Sequence, residues 1–184
     1  LELIFGDRKQ QFDTYSQLSH IGKSTIGKVM LKSIMKDMCE SVFKGMIKIE
    51  ENAKNANSYL AEHAMLLSKE AKASAIPGLE IDTNDVKATH SASVSQIDEE
   101  KMFYIMSRGL KRNEATKMIS LGFFEPLLKI APSEIRAKIL YLLELKWSGE
   151  EKNFLSSYDE IKAEEMSHRV IERDMFERHY KYRT

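Results

Sequence analysis

Apolar and polar positions along this chain follow two periods, and the change falls near residue 98. Before it, apolar residues come in short runs rich in β-branched side chains, broken every few positions by Gly, Asn, Asp, Ser or Pro. Residues 1–5 open as a strand, and 41–49, 64–67 and 78–81 read the same way, with a turn at Pro77-Gly78 and an Asx-rich corner at 82–85. The apolar centres Ile47, Leu66 and Ile81 lie 19 and 15 residues apart, and Ala53, Ala71 or Val86 follows each within a few positions. Such a repeat suits a solenoid whose coils stack parallel strands and turn tightly at small residues. A sandwich of short strands fits the same periodicity.

After residue 98 the period is 3.6. Asp98-Glu99-Glu100 places acids in a first helical turn, and Met102, Phe103, Ile105 and Met106 give it an apolar face that ends at Gly109. A second helix is expected from a capping Asn113, with a break at Gly122 to Pro126 and another turn or two over 127–130. A third is expected over 134–147, capped by Ser133 and stopped by Ser148-Gly149. The charged tail from residue 150 keeps an apolar stripe (Leu155, Ile161, Val170, Phe176) and reads as one long amphipathic helix. The chain thus divides into a β part, 1–97, and a helical part, 98–184.

Composition narrows the function. The 184 residues carry 28 basic and 28 acidic side chains, a balance that asks for neither nucleic acid nor an anionic membrane. No window is long and apolar enough for a membrane span. The single cysteine, Cys39, rules out an internal disulfide framework and fits a reducing compartment. A first residue that is Leu, already inside a strand-like run, reads as the start of a fragment of a longer protein.

No phosphate-binding GxxxxGK[ST], GxGxxG, HExxH or GxSxG occurs. His90, among Thr89, Ser91 and Ser93, is the sharpest chemical candidate, because small neighbours leave an imidazole nitrogen free; a structural histidine is the plain alternative. His20 reads as a corner residue, His63 as a loop residue or a ligand, and His168 and His179 as solvated. Cys39 reads as structural. Glu80, Asp82 and Asp85 could supply the paired carboxylates of a β-helix lyase or hydrolase acting on carbohydrate.

The order of features over residues 65–110 is more specific than any of these. Met65-Leu66-Leu67-Ser68, Pro77-Gly78-Leu79-Glu80-Ile81, Asp85-Val86, the His90 segment, Asp98-Glu99, Phe103-Tyr104 and Ser107-Arg108-Gly109 follow one another in a spacing that resembles the C-terminal part of the SufB/SufD family. That family supplies the paired scaffold subunits of the SUF iron–sulfur cluster assembly machine. The resemblance implies a right-handed parallel β-helix followed by helices, no enzymatic activity of its own, and a cytoplasmic setting. Its implied partners are a SufB-like subunit and the ABC-type ATPase SufC.

The resemblance also assigns residues. It gives His90 a place at a cluster-assembly site shared between subunits, where an iron–sulfur cluster would be held transiently. SufB-like members carry a Cys upstream of the LL run; here Glu62 or His63 stands in its place, so this chain looks closer to SufD than to a SufB-like scaffold using non-Cys ligands. Iron–sulfur clusters take thiolates, and Cys39 alone cannot hold one. The helical segment would dock the ATPase through Phe123, Phe124, Leu127 and Leu128, and Arg108 would anchor helix ends. A fragment that begins inside a solenoid is expected to expose a strand edge at its first coil and so to self-associate. The exposed edge or face of the solenoid is expected to pair with a homologous subunit or, in the isolated fragment, as a homodimer.

Overall fold

The computed structural model describes residues 1–149, so the expected tail helix, with His168 and His179, lies outside the described residues. Seven strands build a parallel β-solenoid of about three turns. Strands β1 (Glu2–Gly6), β3 (Ile26–Met35), β5 (Ala56–Leu66) and β7 (Val86–Gln96) form one sheet in that order. Strands β2 (Gln11–His20), β4 (Glu40–Ile49) and β6 (Lys72–Ile81) form the other. Every pairing is parallel: Glu2 lies beside Leu31, 29 residues on, and Glu40 beside Lys72, 32 on. A full coil therefore holds about thirty residues and two strands. The 19- and 15-residue intervals of the sequence are half-coils, because Ile47 and Ile81 belong to one sheet and Leu66 to the other.

Alternation decides which side chains enter the solenoid. In β4, Ser41, Phe43, Gly45, Ile47 and Ile49 are buried while their neighbours are only partly so. Leu31, Phe43, Ile47, Ile49 and Leu60 form one apolar cluster, with Ala53 and Ala56 at the corner. Gly45 lies where a Cβ would come within 2.6 Å of a Leu60 methyl, which is why the strand carries no side chain there.

The corners repeat as the strands do. Arg8 and Asp37, one coil apart, both take left-handed φ near +58° and +57°, and so do Ser24 and Asn55 at +55° and +59°. Cys39 and Ala71 occupy equivalent corner positions, both buried beside Met35. The Cys39 thiol donates to the Asp7 carbonyl at 2.8 Å, so this cysteine closes a turn. Its replacement by alanine is expected to cost about 1 kcal/mol in urea unfolding.

Two local expectations need correcting. Pro77 and Gly78 form no turn; they lie within β6, the edge of its sheet, where a missing N–H forfeits no ladder partner on the open side. The second helix is likewise unbroken.

Helix α1 (Glu99–Met106) begins at Asp98, whose carboxylate accepts from the Glu100 and Lys101 amides. Helix α2 (Arg112–Leu128) begins one residue before the expected cap, with the Lys111 amide bonded to Glu114 at 2.8 Å. It runs through Gly122 and Pro126, since a proline in the last turn removes one backbone bond just before the helix ends. The strands end at Gln96 and the helices start at Glu99, on either side of the switch read from the sequence. By compactness, however, α1 and α2 belong with the solenoid in a unit spanning Leu1–Ala131, and Pro132–Thr184 is a second unit. Its described helix, α3 (Ser133–Ser148), follows Pro132 and stops at Gly149 with φ +77°.

Candidate functional site

Strand β5 carries both residues that stand where a thiolate would be sought, and alternation sends them to opposite faces. Glu62 lies beside Leu31 and Ala92 in a row facing the solenoid interior. It is 1 % exposed, and neither carboxyl oxygen has a hydrogen-bond partner among the described residues. Desolvation alone pushes its carboxyl up to about 7.

His63 lies in the outward row between Lys32 and Ser93. Its Nδ1 is 2.7 Å from the Ser93 hydroxyl, and burial first, then the Lys32 charge, hold it below the usual histidine range. The ring is therefore neutral near pH 7.

His90 occupies β7, the edge strand, and pairs with Leu60. Leu60 and Glu62 point the same way along β5, so His90 sits diagonally from Glu62 on the inward side. Among the described residues no strand follows β7 in its sheet, and His90 is exposed. The structure brings His90 and Glu62 to one face and leaves His63 on the other. Cys39 lies at the β3–β4 corner, away from this face. Among the described residues no three His, Cys, Asp or Glu side chains gather as metal ligands.

The remaining candidates are placed as follows. His20 is a buried corner residue with Nδ1 2.7 Å from the Thr25 hydroxyl. Glu80 points outward and is bonded by Lys48 Nζ at 2.8 Å, so it forms an ion pair rather than a catalytic pair with Asp82. Arg108 lies 4.3 Å over the Tyr104 ring and bonds its hydroxyl, pinning α1's last turn.

Phe124, Leu127 and Leu128 are buried. Phe123 is half-buried beneath Lys32, whose ammonium lies 4.5 Å over the ring and donates to the Phe123 carbonyl at 2.7 Å. The exposed large apolar side chains of the first two helices are Phe103, Tyr104, Met106 and Met118.

Sequence reasoning did not single out Lys32, which joins α2 to the solenoid and sits beside His63. A lysine in a largely apolar stretch, Val29 to Met35, interrupted otherwise only by Ser33, was the available signal. Exchange of Lys32 for methionine is expected to lower stability by about 1–2 kcal/mol. It should also raise the His63 pKa part of the way back to its usual value, read by NMR titration; the share due to burial would remain.

The class of protein these features define is a parallel β-solenoid carried into helices, with an exposed histidine on its edge strand. Residues 1–123 match the SUF system FeS cluster assembly SufBD core domain. The chain belongs to that family.

Among curated relatives it is 35 % identical over 142 residues to the iron–sulfur cluster assembly protein SufD of Bacillus subtilis, covering 77 % of this chain and 32 % of that protein. It is 34 % identical over 143 residues to a SufBD family protein of Synechocystis, covering 78 % and 30 %. To one of Staphylococcus saprophyticus it is 32 % identical over 149 residues, covering 81 % and 32 %. The chain thus spans about a third of the length of the curated relatives it matches.

Proposed function

We propose that this chain acts as a non-catalytic, SufD-like scaffold in cytoplasmic iron–sulfur cluster assembly, joining a SufB-like subunit through the terminal coil of its solenoid. One observation carries this reading: among the described residues β6 and β7 end their sheets with unpaired edges, and Leu79, Ile81 and Val94 are 40 %, 41 % and 47 % exposed there. An open edge with apolar residues beside it is a pairing surface. His90 lies on the same coil, so a partner seated there meets its imidazole. A cluster or its iron, the cargo of the machine, would be handled jointly, with this side offering His90 and the partner the thiolates. Without a partner the same surface favours a two-fold homodimer. The helices dock a SufC-type ATPase, and the large apolar groups of α1 and α2 open to it are Phe103, Tyr104, Met106 and Met118.

The rival reading, a carbohydrate-active β-helix enzyme, needs free carboxylates in one groove. Glu80 is paired with Lys48, which counts against it.

The test is size-exclusion chromatography of this chain with a SufB-like subunit, then with the ATPase added. A joint peak at about 10 μM is expected, and Phe103→Glu should remove the ATPase from it without displacing the subunit. Separate elution of the chain and the SufB-like subunit would overturn the pairing.

A further inference from the structure

A cleft of about 450 Å³ opens at the corners that lead into β3, β5 and β7. The strand register stacks its walls. Ile26 of β3, Asn57 of β5 and Lys87 of β7 form one outward row, and Ser24, Asn55 and Asp85 stand two residues before them. Neighbouring strands lie about 4.8 Å apart, and residues two apart along a strand about 6.7 Å. The cleft is therefore lined by a two-by-three array of side chains, with Asn84 beside it.

The corner backbone is already committed. The Ser24 amide donates to the Lys54 carbonyl at 2.8 Å, that of Asn55 to Asp85 at 2.6 Å, and that of Asn57 to Thr25 at 2.8 Å. These bonds fix the walls coil to coil. The side chains are not committed. Among the described residues, Ser24, Asn55, Asn57, Asn84, Asp85 and Lys87 make no side-chain hydrogen bond or ion pair with the protein. Elsewhere on the outer faces opposite charges do pair, Lys44 with Asp13 and Lys48 with Glu80. Asp85 and Lys87 share one cleft, have opposite charge and stay apart, with three amides beside them that both donate and accept.

A ligand that answers both charges carries an ammonium and a carboxylate close together. With a hydrogen bond of about 2.8 Å at each end, the short N–C–C unit of an α-amino acid bridges side chains whose backbones stand about 6.7 Å apart. Its ammonium meets Asp85 and the Asn55 amide oxygen, and its carboxylate meets Lys87 and the Asn57 amide N–H. Its side chain then crosses Asn57 toward Ile26, which is 85 % exposed at the far end of the same row. Ile26 lies two strand spacings, about 9.6 Å, from Lys87, so a side chain of leucine size approaches it and glycine does not.

Other ligand chemistries leave a group unanswered. A simple anion meets the Asp85 carboxylate, and a divalent cation meets the Lys87 ammonium. A sugar uses neither charge, and the Tyr59 ring in the next outward row is already taken by Lys28 Nζ, 5.4 Å from its centroid.

We propose that this corner cleft binds a free aliphatic α-amino acid, held by Asp85 and Lys87 through its two charges and by Ile26 through its side chain. The site lies on the outward face of β7, opposite the face that carries His90, so it stands independently of the partner interface.

The test is proton–nitrogen NMR of the full chain titrated with L-leucine. Glycine, N-acetyl-L-leucine, L-leucinamide, glucose and inorganic phosphate are titrated separately as comparison probes. L-leucine is expected to shift the amides of Asn55, Asn57, Asp85 and Lys87 with a Kd of about 1 mM. Blocking either charge of the ligand should weaken binding by about tenfold or more. Asp85→Asn and Lys87→Met, both at exposed positions, should each do the same and leave the thermal midpoint in place. No shift at those four amides by about 20 mM L-leucine overturns the proposal, and so does equal or tighter binding of any comparison probe. If a variant does not fold, the blocked ligands on the wild-type chain decide the matter alone.

Discussion

Replacing Phe43 by alanine is expected to cost about 3–5 kcal/mol, the largest loss from any single truncation in this solenoid. Phe43 is among the largest side chains that are wholly buried. It sits in β4, the central strand of its sheet, so the coils above and below both rest on it. The rigid ladders on either side cannot collapse into the space, so the loss combines transfer and cavity terms. A unit of this size is stable by only about 5–15 kcal/mol, and equilibrium unfolding in urea would show a large drop in midpoint. Ile76→Ala is the control: Ile76 is 56 % exposed, on the outward face of the edge strand β6, and should cost no more than about 0.5 kcal/mol. Phe43→Ala should also let water reach Glu62 and draw its pKa down toward 4.5, so the variant's stability would depend less on pH between 4.5 and 7.

That coupling shows why some of this fold was legible in the sequence and some was not. Strand β4 reads directly, because Val42, Phe43, Met46, Ile47 and Ile49 make an apolar run. Strand β2 does not: it presents Gln11, Asp13, Tyr15, Gln17 and Ser19 outward, and its inward set of Phe12, Thr14, Ser16 and Leu18 is half hydroxyl. Strict alternation was its signal, but Thr and Ser count as polar to the eye even where a neighbouring coil buries them. The solenoid period was halved because successive apolar centres belong to different sheets. Only the register shows that Ile47 meets Leu79 rather than Leu66. Pro77-Gly78 looked like a turn because local chemistry favours one. An edge strand tolerates the pair, and edge position is a property of the whole sheet.

The candidate site divides along the same line. His90 could be picked out from the size of its neighbours and from the family spacing. The choice between Glu62 and His63 could not be made without register, since one residue's shift moves a side chain from the interior to the outer face. The asymmetry in their environments follows from that face. Glu62 meets Leu31, Ala92 and Phe43 and is pushed up by lack of water, while His63 meets Ser93 and the Lys32 charge and is pushed down. The docking role expected of Phe124, Leu127 and Leu128 rested on apolarity, which equally describes a buried face, and these three are buried.

Charge placed on the terminal coil should separate the proposed partners. Leu79 and Val94 are 40 % and 47 % exposed, on the edge strands β6 and β7. Leu79→Lys with Val94→Lys alters little that the isolated chain has buried, because both lysine heads can reach water, so its thermal midpoint should move by only a few degrees. An interface that covers both positions would have to desolvate two ammonium groups while forfeiting two apolar contacts. The expected weakening exceeds 100-fold, equal to about 3 kcal/mol or more. Titration calorimetry against the SufB-like subunit reads this directly, and analytical ultracentrifugation reads it for the homodimer. His90→Ala in the same assay should change affinity by less than about tenfold, since one exposed imidazole adds little area, while removing this chain's candidate ligand from the shared face. Undiminished binding by the double lysine variant would move the interface off the terminal coil and detach His90 from the partner's thiolates.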